Sequence, residues 1–259
     1  MPMIDAEGCA LRVEVEGPET APAVVLSSSL GADHTMWEPQ VAPLARHFRV
    51  VRYDRRGHGG SGVTPGPYTI ERLGRDALAI LDGLGIDQAH WVGLSLGGMV
   101  GQWLGANAPQ RLGRLVLANT TSHMADKQPW HDRIAVVRAG GLAAIVDKVM
   151  GLWFTEEFRE REPDAVARIR AAFLATPVDG YIACGEAVRD MDQRDLLARI
   201  AVPTLVVAGR YDQSTPIEAA EFIRRNVPGA QLTILEAAHL SNIEQAAAFN
   251  TEVLGFLTS

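Results

Sequence analysis

Residues 91–98 read WVGLSLGG and contain the pattern Gly-x-Ser-x-Gly, with Ser95 at its centre. The run at 90–92 before the pattern is typical of a strand, and residues 99–108 after it are typical of a helix. In such a strand–turn–helix the serine occupies a strained turn, where a Cβ on either glycine would crowd the backbone. The pattern predicts a sharp turn that presents Ser95 as a nucleophile. The alternative is a serine that only caps the helix N-terminus.

Short apolar runs alternate with longer helical patterns on both sides of this turn. The runs are rich in Val, Ile and Leu, as strands buried on both faces are. Their alternation with helices indicates an α/β fold, in which a mostly parallel twisted sheet is covered by helices on both faces. The predicted strands are 23–26, 49–53, 90–93, 115–117, 204–208 and 232–235, and the predicted helices are 37–46, 69–84, 96–108, 217–226 and 243–257.

Residues 121–200 interrupt this alternation, because they carry helical patterning and no convincing strand. We expect them to form a helical cap inserted into a core domain made of residues 1–120 and 201–259. Open α/β sheets bind ligands at the carboxyl ends of their strands, so the cap is predicted to cover that edge. The alternative is a helical extension packed elsewhere. The predicted helices of the segment are 134–150, 164–174 and 178–190.

The chain has 259 residues, which is enough for one large core, and a formal net charge of −7. That charge argues against a nucleic-acid partner, which selects a basic surface. No apolar run is long enough to span a bilayer, and the first residues lack the basic and apolar regions of a secretory signal. With Cys9 and Cys184 as the two cysteines, a reducing cytoplasm is the expected location. The sequence does not predict an oligomeric state.

A serine hydroxyl is a weak nucleophile and needs a base within hydrogen-bond reach. His239 follows the last predicted strand, and we expect its loop to lie beside the strand that carries Ser95. His239 is therefore the predicted general base. His34, in the loop after the first core strand, is the competing candidate. His58 lies in the turn DRRGHGGS at 54–61, which we interpret as structural, and the other four histidines are expected to be exposed or structurally satisfied.

The base needs an acid that holds it in one tautomer. Asp212 follows the predicted strand 204–208 at the same edge of the sheet, and it is the predicted acid. The oxyanion that develops in acyl transfer needs backbone N–H donors. We expect these from Leu96, directly after the nucleophile, and from Leu30, in the loop after the strand at 23–26.

The chain order Ser95, Asp212, His239 is that of the α/β hydrolases and differs from the orders in chymotrypsin and subtilisin. Nearly the whole chain resembles the 3-oxoadipate enol-lactonases, a family with the α/β-hydrolase fold. The segments that carry the resemblance are SSLG at 28–31, DRRGHG at 54–59, GLSLGG at 93–98, WFT at 153–155 and AHLSNIEQ at 238–245.

The resemblance implies an enzyme of aromatic degradation, in the β-ketoadipate pathway, that opens 3-oxoadipate enol-lactone to 3-oxoadipate. This substrate is an unsaturated five-membered lactone that bears a carboxylate. Ser95, His239 and Asp212 would act through an acyl-enzyme, with no metal and no organic cofactor. The expected partner is a small anionic lactone, and neither nucleic acid nor a membrane.

A substrate carboxylate calls for a cation in the pocket. Trp130 and Arg133 are three residues apart in the cap segment and would share one face of the first turn of a helix. The arginine fork can bind both oxygens of a carboxylate. The alternative is a solvated Arg133 and a core Trp130, with Lys127 as the reserve cation. Trp153 is a further candidate for substrate binding, as pocket wall or as part of the cap core.

Two other functions remain open with the same residues. A carboxylesterase or perhydrolase on neutral esters would use the same nucleophile, base and acid. A ligand-binding receptor with slow turnover is a function from another class, because some proteins of this fold sense small molecules and keep these groups. Fast turnover of any ester would count against the receptor.

Overall fold

The computed structural model of the chain describes residues 2–259. Within these residues the sheet has eight strands, which are β1 (Met3–Asp5), β2 (Ala10–Glu16), β3 (Ala23–Ser27), β4 (Arg49–Tyr53), β5 (Ala89–Leu94), β6 (Leu112–Ala118), β7 (Thr204–Gly209) and β8 (Gln231–Leu235). Their order is β1-β2-β4-β3-β5-β6-β7-β8. All pairs from β4 to β8 are parallel, and only the pairs that involve β2 are antiparallel. The predicted α/β fold with a mostly parallel sheet is confirmed.

Strands β1 and β2 are absent from the sequence-based prediction. Strand β2 reads ALRVEVE, in which Leu11 and Val13 are buried while the other five residues are at least partly exposed. An antiparallel strand near a sheet edge needs only one apolar face. Strand β2 therefore lacks the continuous apolar run by which strands β3–β8 are predicted. The parallel strands β3 and β7 are such continuous apolar runs, and every residue in them is buried.

Helices cover both faces of the sheet. Helix α2 begins at Ile70 because the Thr69 hydroxyl accepts a hydrogen bond from the N–H of Arg72, at 3.1 Å. None of the helices within residues 2–259 is long and apolar enough to cross a membrane. The helices are α1 (Glu38–Leu44), α2 (Ile70–Gly83), α3 (Leu96–Asn107), α4 (Gln128–Gly140), α5 (Val146–Trp153), α6 (Glu156–Arg161), α7 (Pro163–Ala175), α8 (Val178–Asp190), α9 (Ile217–Asn226), α10 (Ser241–Glu244) and α11 (Ala246–Thr258).

Helices α4–α8, which we call the cap, follow β6 in the sequence. The single helix predicted at 134–150 is wrong: the chain forms α4, a short 3-10 turn and α5, because Gly141 has a φ of +68° and breaks the helix. Helix α6 is missing from the prediction. The helix predicted at 243–257 is likewise split into α10 and α11 at Gln245. The division into a core domain and a cap domain at residues 121–200 stays a prediction.

Helix α8 packs directly against the turn after β4. A Cβ placed on Gly180 would lie 2.1 Å from the carbonyl oxygen and 2.4 Å from the Cα of Gly57. Gly57 itself has a φ of +78°, a conformation that side chains disfavour. The cap therefore contacts the core here through backbone alone, and both positions exclude a side chain.

We expect Gly180→Ala to lower the free energy of unfolding by about 1–3 kcal/mol, because overpacking forces the two backbones apart. In a helix without such a contact, alanine is the better residue by roughly 0.5–1 kcal/mol. Gly255→Ala is the matched control, since it lies in α11 with no heavy atom within 4 Å of the new Cβ. Urea denaturation of both variants checks this, and a Gly180→Ala protein as stable as the control would contradict the close contact.

Candidate active site

Ser95 lies between β5 and α3 in a conformation that side chains rarely adopt. Its φ is 56° and its ψ is −116°, and only 9% of the residue is exposed. The turn has no room on either side: a Cβ on Gly93 would lie 2.1 Å from the Gly97 carbonyl oxygen. Two hydrogen bonds hold the turn, because Ser95 N–H donates to Ala118 O at 2.9 Å and the Thr120 hydroxyl donates to Ser95 O at 2.8 Å. Strained, well-supported residues of this kind cluster at functional sites.

His239 and Asp212 form a buried pair. His239 Nδ1 lies 2.8 Å from Asp212 Oδ2, and the two residues are 3% and 4% exposed. Asp212 also accepts hydrogen bonds from the N–H groups of Ser214 and Thr215 and from the Thr215 hydroxyl. Burial alone would raise the pKa of Asp212. The charge of His239 when protonated, its hydrogen bond and the hydrogen bonds from Thr215 outweigh burial, so the pKa of Asp212 lies below its ordinary value. Asp212 is thus held as an ionised acceptor for the imidazole.

Strand β8, which precedes the loop that carries His239, is not a neighbour of β5, the strand that precedes Ser95. Strand β8 is at the edge of the sheet, and β6 and β7 separate it from β5. The loop after β8 instead crosses the ends of its neighbours, since Ala238 O accepts a hydrogen bond from Asn119 at the end of β6. This crossing brings His239 to the same cavity as Ser95.

Asn119 is a site residue that the sequence analysis missed. Its Nδ2 donates to Asp212 Oδ2 at 3.0 Å, and its Oδ1 accepts from the Ser241 hydroxyl at 2.5 Å. It has a positive φ of 44° and follows the last residue of β6. A polar residue directly after an apolar strand at the ligand-binding edge is the signal that could have found it. Asn119 connects the loops after β6, β7 and β8.

Glu244 joins the His239 loop to the cap. Its Oε2 accepts a hydrogen bond from Ala238 N–H at 2.9 Å, and its carboxylate also accepts the N–H and hydroxyl of Thr155, the N-cap residue of α6. Leu240 N–H donates to Trp153 O at 3.0 Å. The WFT and AHLSNIEQ segments, which lie far apart in sequence, are therefore in direct contact.

The loop after β3 lies next to Ser95. Among residues 2–259 no protein acceptor receives the Leu30 N–H, and the Leu96 N–H is the first in helix α3, where no intrahelical partner exists. Gly97 N–H donates to Ser28 O at 3.2 Å, which ties this loop to the start of α3. The two N–H groups are available as donors, and their role in the oxyanion hole stays a prediction.

A cavity of about 580 Å³ extends from Ser95 and His239 to the cap. This volume suits a small ligand. Leu30 lines it from the core, and side chains of α4 and α5 line it from the cap; these are Pro129, Trp130, Asp132, Arg133, Val136, Lys148, Val149, Leu152 and Trp153. Trp153 is both pocket wall and core, because it is 4% exposed and packs edge-on against Phe173 with ring centroids 5.5 Å apart.

Arg133 is a cation of this cavity without a carboxylate partner. Its guanidinium carbon lies 5.0 Å from the ring centroid of Trp130 and 5.8 Å from that of Tyr181. No Asp or Glu of residues 2–259 forms an ion pair with it. Lys127, the reserve candidate, pairs with Asp190 at 3.5 Å and does not line the cavity. The structure thus brings Trp130, Arg133 and Trp153 to the cavity and leaves Lys127 outside.

The competing histidine, His34, is engaged elsewhere. Its Nδ1 lies 2.8 Å from Asp54 and its Nε2 lies 3.2 Å from Glu14. Burial lowers its pKa, but the two carboxylates outweigh burial and raise it above the ordinary value. His34 does not line the cavity. It is therefore not placed to take a proton from Ser95.

Comparisons with known proteins agree with this fold. The family model of the α/β hydrolase fold matches residues 22–246. The chain is 40% identical to 3-oxoadipate enol-lactonase 1 of Acinetobacter baylyi, over 98% of this chain and 95% of the relative. It is 33% identical to a Stutzerimonas stutzeri protein that carries the name carbamate hydrolase RutD, over 92% of each.

The crystal structure of the enol-lactonase from Burkholderia xenovorans LB400 superposes with a TM-score of 0.98, at 41% identity and with full coverage of both chains. The Acinetobacter relative and this structural neighbour both carry the enol-lactonase name that the sequence motifs indicated. The chain is an enzyme of the α/β hydrolase fold family, and within that family it belongs with the 3-oxoadipate enol-lactonases.

Proposed function

We propose that this chain hydrolyses 3-oxoadipate enol-lactone to 3-oxoadipate. The observation that carries the proposal is Arg133, a cation without a carboxylate partner in the cavity that Ser95 and His239 also line. Moving a carboxylate from water into a pocket is costly unless a charge partner is present. Arg133 meets that need for an anionic lactone, and a neutral ester would leave it unused. The names of the relatives supply the identity of the lactone.

In the proposed first step, Ser95 attacks the lactone carbonyl while His239 takes the serine proton. Asp212 keeps the imidazole in the tautomer that accepts at Nε2, because its Oδ2 lies 2.8 Å from Nδ1 and accepts the Nδ1 proton in a hydrogen bond. The tetrahedral oxyanion is stabilised by the N–H groups of Leu30 and Leu96. The step forms the serine–acyl bond and breaks the ring C–O bond.

The leaving group is an enolate, which leaves more readily than an alkoxide and asks less of His239 as general acid. It stays attached to the acyl chain, so the acyl-enzyme keeps the whole substrate. Tautomerisation of the enol to a ketone then removes the oxygen nucleophile that could close the ring again. Water activated by His239 releases the 3-oxo diacid and restores Ser95.

Hydrolysis of a neutral ester or of a carbamate is the alternative that the same three groups would support. A relative at 33% identity carries the name of a carbamate hydrolase. The alternatives differ in what they require from Arg133, because a neutral ester has no carboxylate for it to bind. Comparing an enol-lactone with p-nitrophenyl acetate on the same protein therefore tests the proposal.

A fluorophosphonate should label Ser95 and no other serine, because Ser95 is the hydroxyl that the proposed mechanism pairs with His239 as base. Ser29 and Ser214 line the same cavity and serve as internal controls. Peptide mass mapping identifies the labelled residue, and label on either control would refute the assignment. Ser95→Ala should lower kcat by several orders of magnitude on every ester.

Asp212→Asn should leave the fold intact and lower kcat by about 10⁴, as expected when the acid no longer fixes the tautomer of the base. Asp132→Asn is the control, because Asp132 is a cavity carboxylate whose side chain accepts a hydrogen bond from Gln128 and contacts no proposed catalytic group. Steady-state kinetics with circular dichroism as a folding check decides the question. A large loss in the control and none in Asp212→Asn would reverse the assignment.

Arg133→Ala should lower kcat/KM for the enol-lactone at least tenfold, because the substrate carboxylate would lose its charge partner in the half-buried cavity wall. The same variant should hydrolyse p-nitrophenyl acetate almost as the parent does. Arg138→Ala is the matched control: Arg138 lies in the same helix, is exposed, and pairs with Glu186 outside the cavity. If both substrates are lost together, Arg133 is structural, and if neither changes, the carboxylate binds elsewhere.

A further inference from the structure

Arg55 and Arg56 are adjacent in sequence, and both are buried, but only one of them has a carboxylate partner. Arg56 forms a two-pronged ion pair with Asp76, at 2.6 and 2.9 Å. Arg55 is 4% exposed, and no ion pair with it exists among residues 2–259. Its Nε and Nη1 atoms have no acceptor within the described chain. A buried charge without a partner is costly, and such departures from the rule are expected at functional sites.

The remaining nitrogen of Arg55 points at the loop after β3. Nη2 donates to Ser28 O, and the same oxygen accepts the Gly97 N–H at 3.2 Å. Ser28 lies two residues before Leu30, and Gly97 directly follows Leu96. One carbonyl oxygen therefore joins Arg55 to both backbone segments that carry the proposed oxyanion donors.

His58, from the same turn as Arg55, holds the other end of this loop. Gly31 N–H donates to His58 Nε2 at 2.9 Å. Burial, assisted by the charge of Arg55, lowers the pKa of His58 to about 3. The ring is thus neutral at ordinary pH, and its Nε2 remains an acceptor. The turn after β4 contacts the loop at Ser28 and at Gly31, on either side of Leu30.

We propose that Arg55 is a positioning residue for the oxyanion hole: it fixes the Ser28 carbonyl and brings a buried positive charge without an ion-pair partner to the loop that carries Leu30. The inference rests on the acyl-enzyme mechanism proposed above. A fixed charge in a water-poor site acts more strongly than one in water, and it needs no reorganisation during the reaction. Because the oxyanion forms with every acyl substrate, Arg55 acts on neutral and anionic esters alike, which distinguishes it from Arg133.

The test compares Arg55→Met, Arg55→Lys and Arg56→Met. Methionine keeps most of the volume and removes the charge, and Ser28 O keeps its bond from Gly97. In Arg55→Met we expect kcat to fall at least tenfold for both the enol-lactone and p-nitrophenyl acetate, with little change in KM. The affinity for a trifluoromethyl ketone, which forms an oxyanion adduct with the serine, should fall by the same factor. Arg55→Lys should retain several-fold more activity than Arg55→Met.

Stability separates this role from a structural one. Removing a buried charge that has no partner should leave the midpoint of urea denaturation of Arg55→Met unchanged or higher. Arg56→Met strands the Asp76 carboxylate and should lower the midpoint, with parent-like kcat per folded molecule. Parent-like kcat and ketone affinity in Arg55→Met, a lowered midpoint, or equal losses in the lysine and methionine variants would each overturn the proposal.

The experiment also keeps the two proposals apart. A Ser95→Ala protein that still turns over would defeat the acyl-enzyme mechanism itself. An inactive Ser95→Ala protein together with a parent-like Arg55→Met protein would defeat only the role of Arg55. If the parent does not open the enol-lactone, the acetate ester and the ketone still measure the effect of Arg55.

Discussion

The backbone of Ser95 is held in a conformation that its own side chain disfavours, and the arrangement of the site depends on this. The turn is confined between neighbouring strands: a Cβ on Gly97 would lie 2.0 Å from Ser27 O in β3, and Ser95 N–H is bonded to Ala118 in β6. Relaxing the turn would require these strands to move apart. The parallel sheet, with helices on both faces, is stiff enough to maintain the strain.

The polar groups around the site form one connected network across three loops. Asn119, Asp212 and His239 follow β6, β7 and β8, and they are linked by hydrogen bonds of 2.8 and 3.0 Å. Ser241 extends the network from Asn119 to α10. The same network holds the short loop that carries His239, because Asn119 also donates to Ala238 O, and it thereby fixes the orientation of the imidazole.

The fold and the three proposed catalytic residues could be read from the sequence because each depends on local pattern and chain order. The elbow around Ser95 and the apolar runs of the central strands are signals of this kind. Strand β2 gave a weaker signal, since only Leu11 and Val13 of its residues are fully buried and one of its two partner strands, β4, lies more than 30 residues away. The position of Asn119 directly after an apolar strand was a usable signal, but its hydrogen bonds to Asp212 and Ser241 exist only in the folded chain. Arg55 could not be assigned from sequence, because what distinguishes it is the lack of a carboxylate partner, which only the folded chain reveals.

The contacts of Glu244 with Thr155, and of Gly180 with Gly57, attach the cap to the core at two separate places. Helix α4 lies outside both attachments and carries Trp130, Arg133 and Val136 on the cavity wall. Exchange of residues on α4 can therefore change which acyl compounds are accepted while the imidazole loop stays locked in place. In evolutionary terms, we expect this separation to allow changes on α4 to alter the range of acyl substrates while Ser95, Asp212 and His239 stay unchanged.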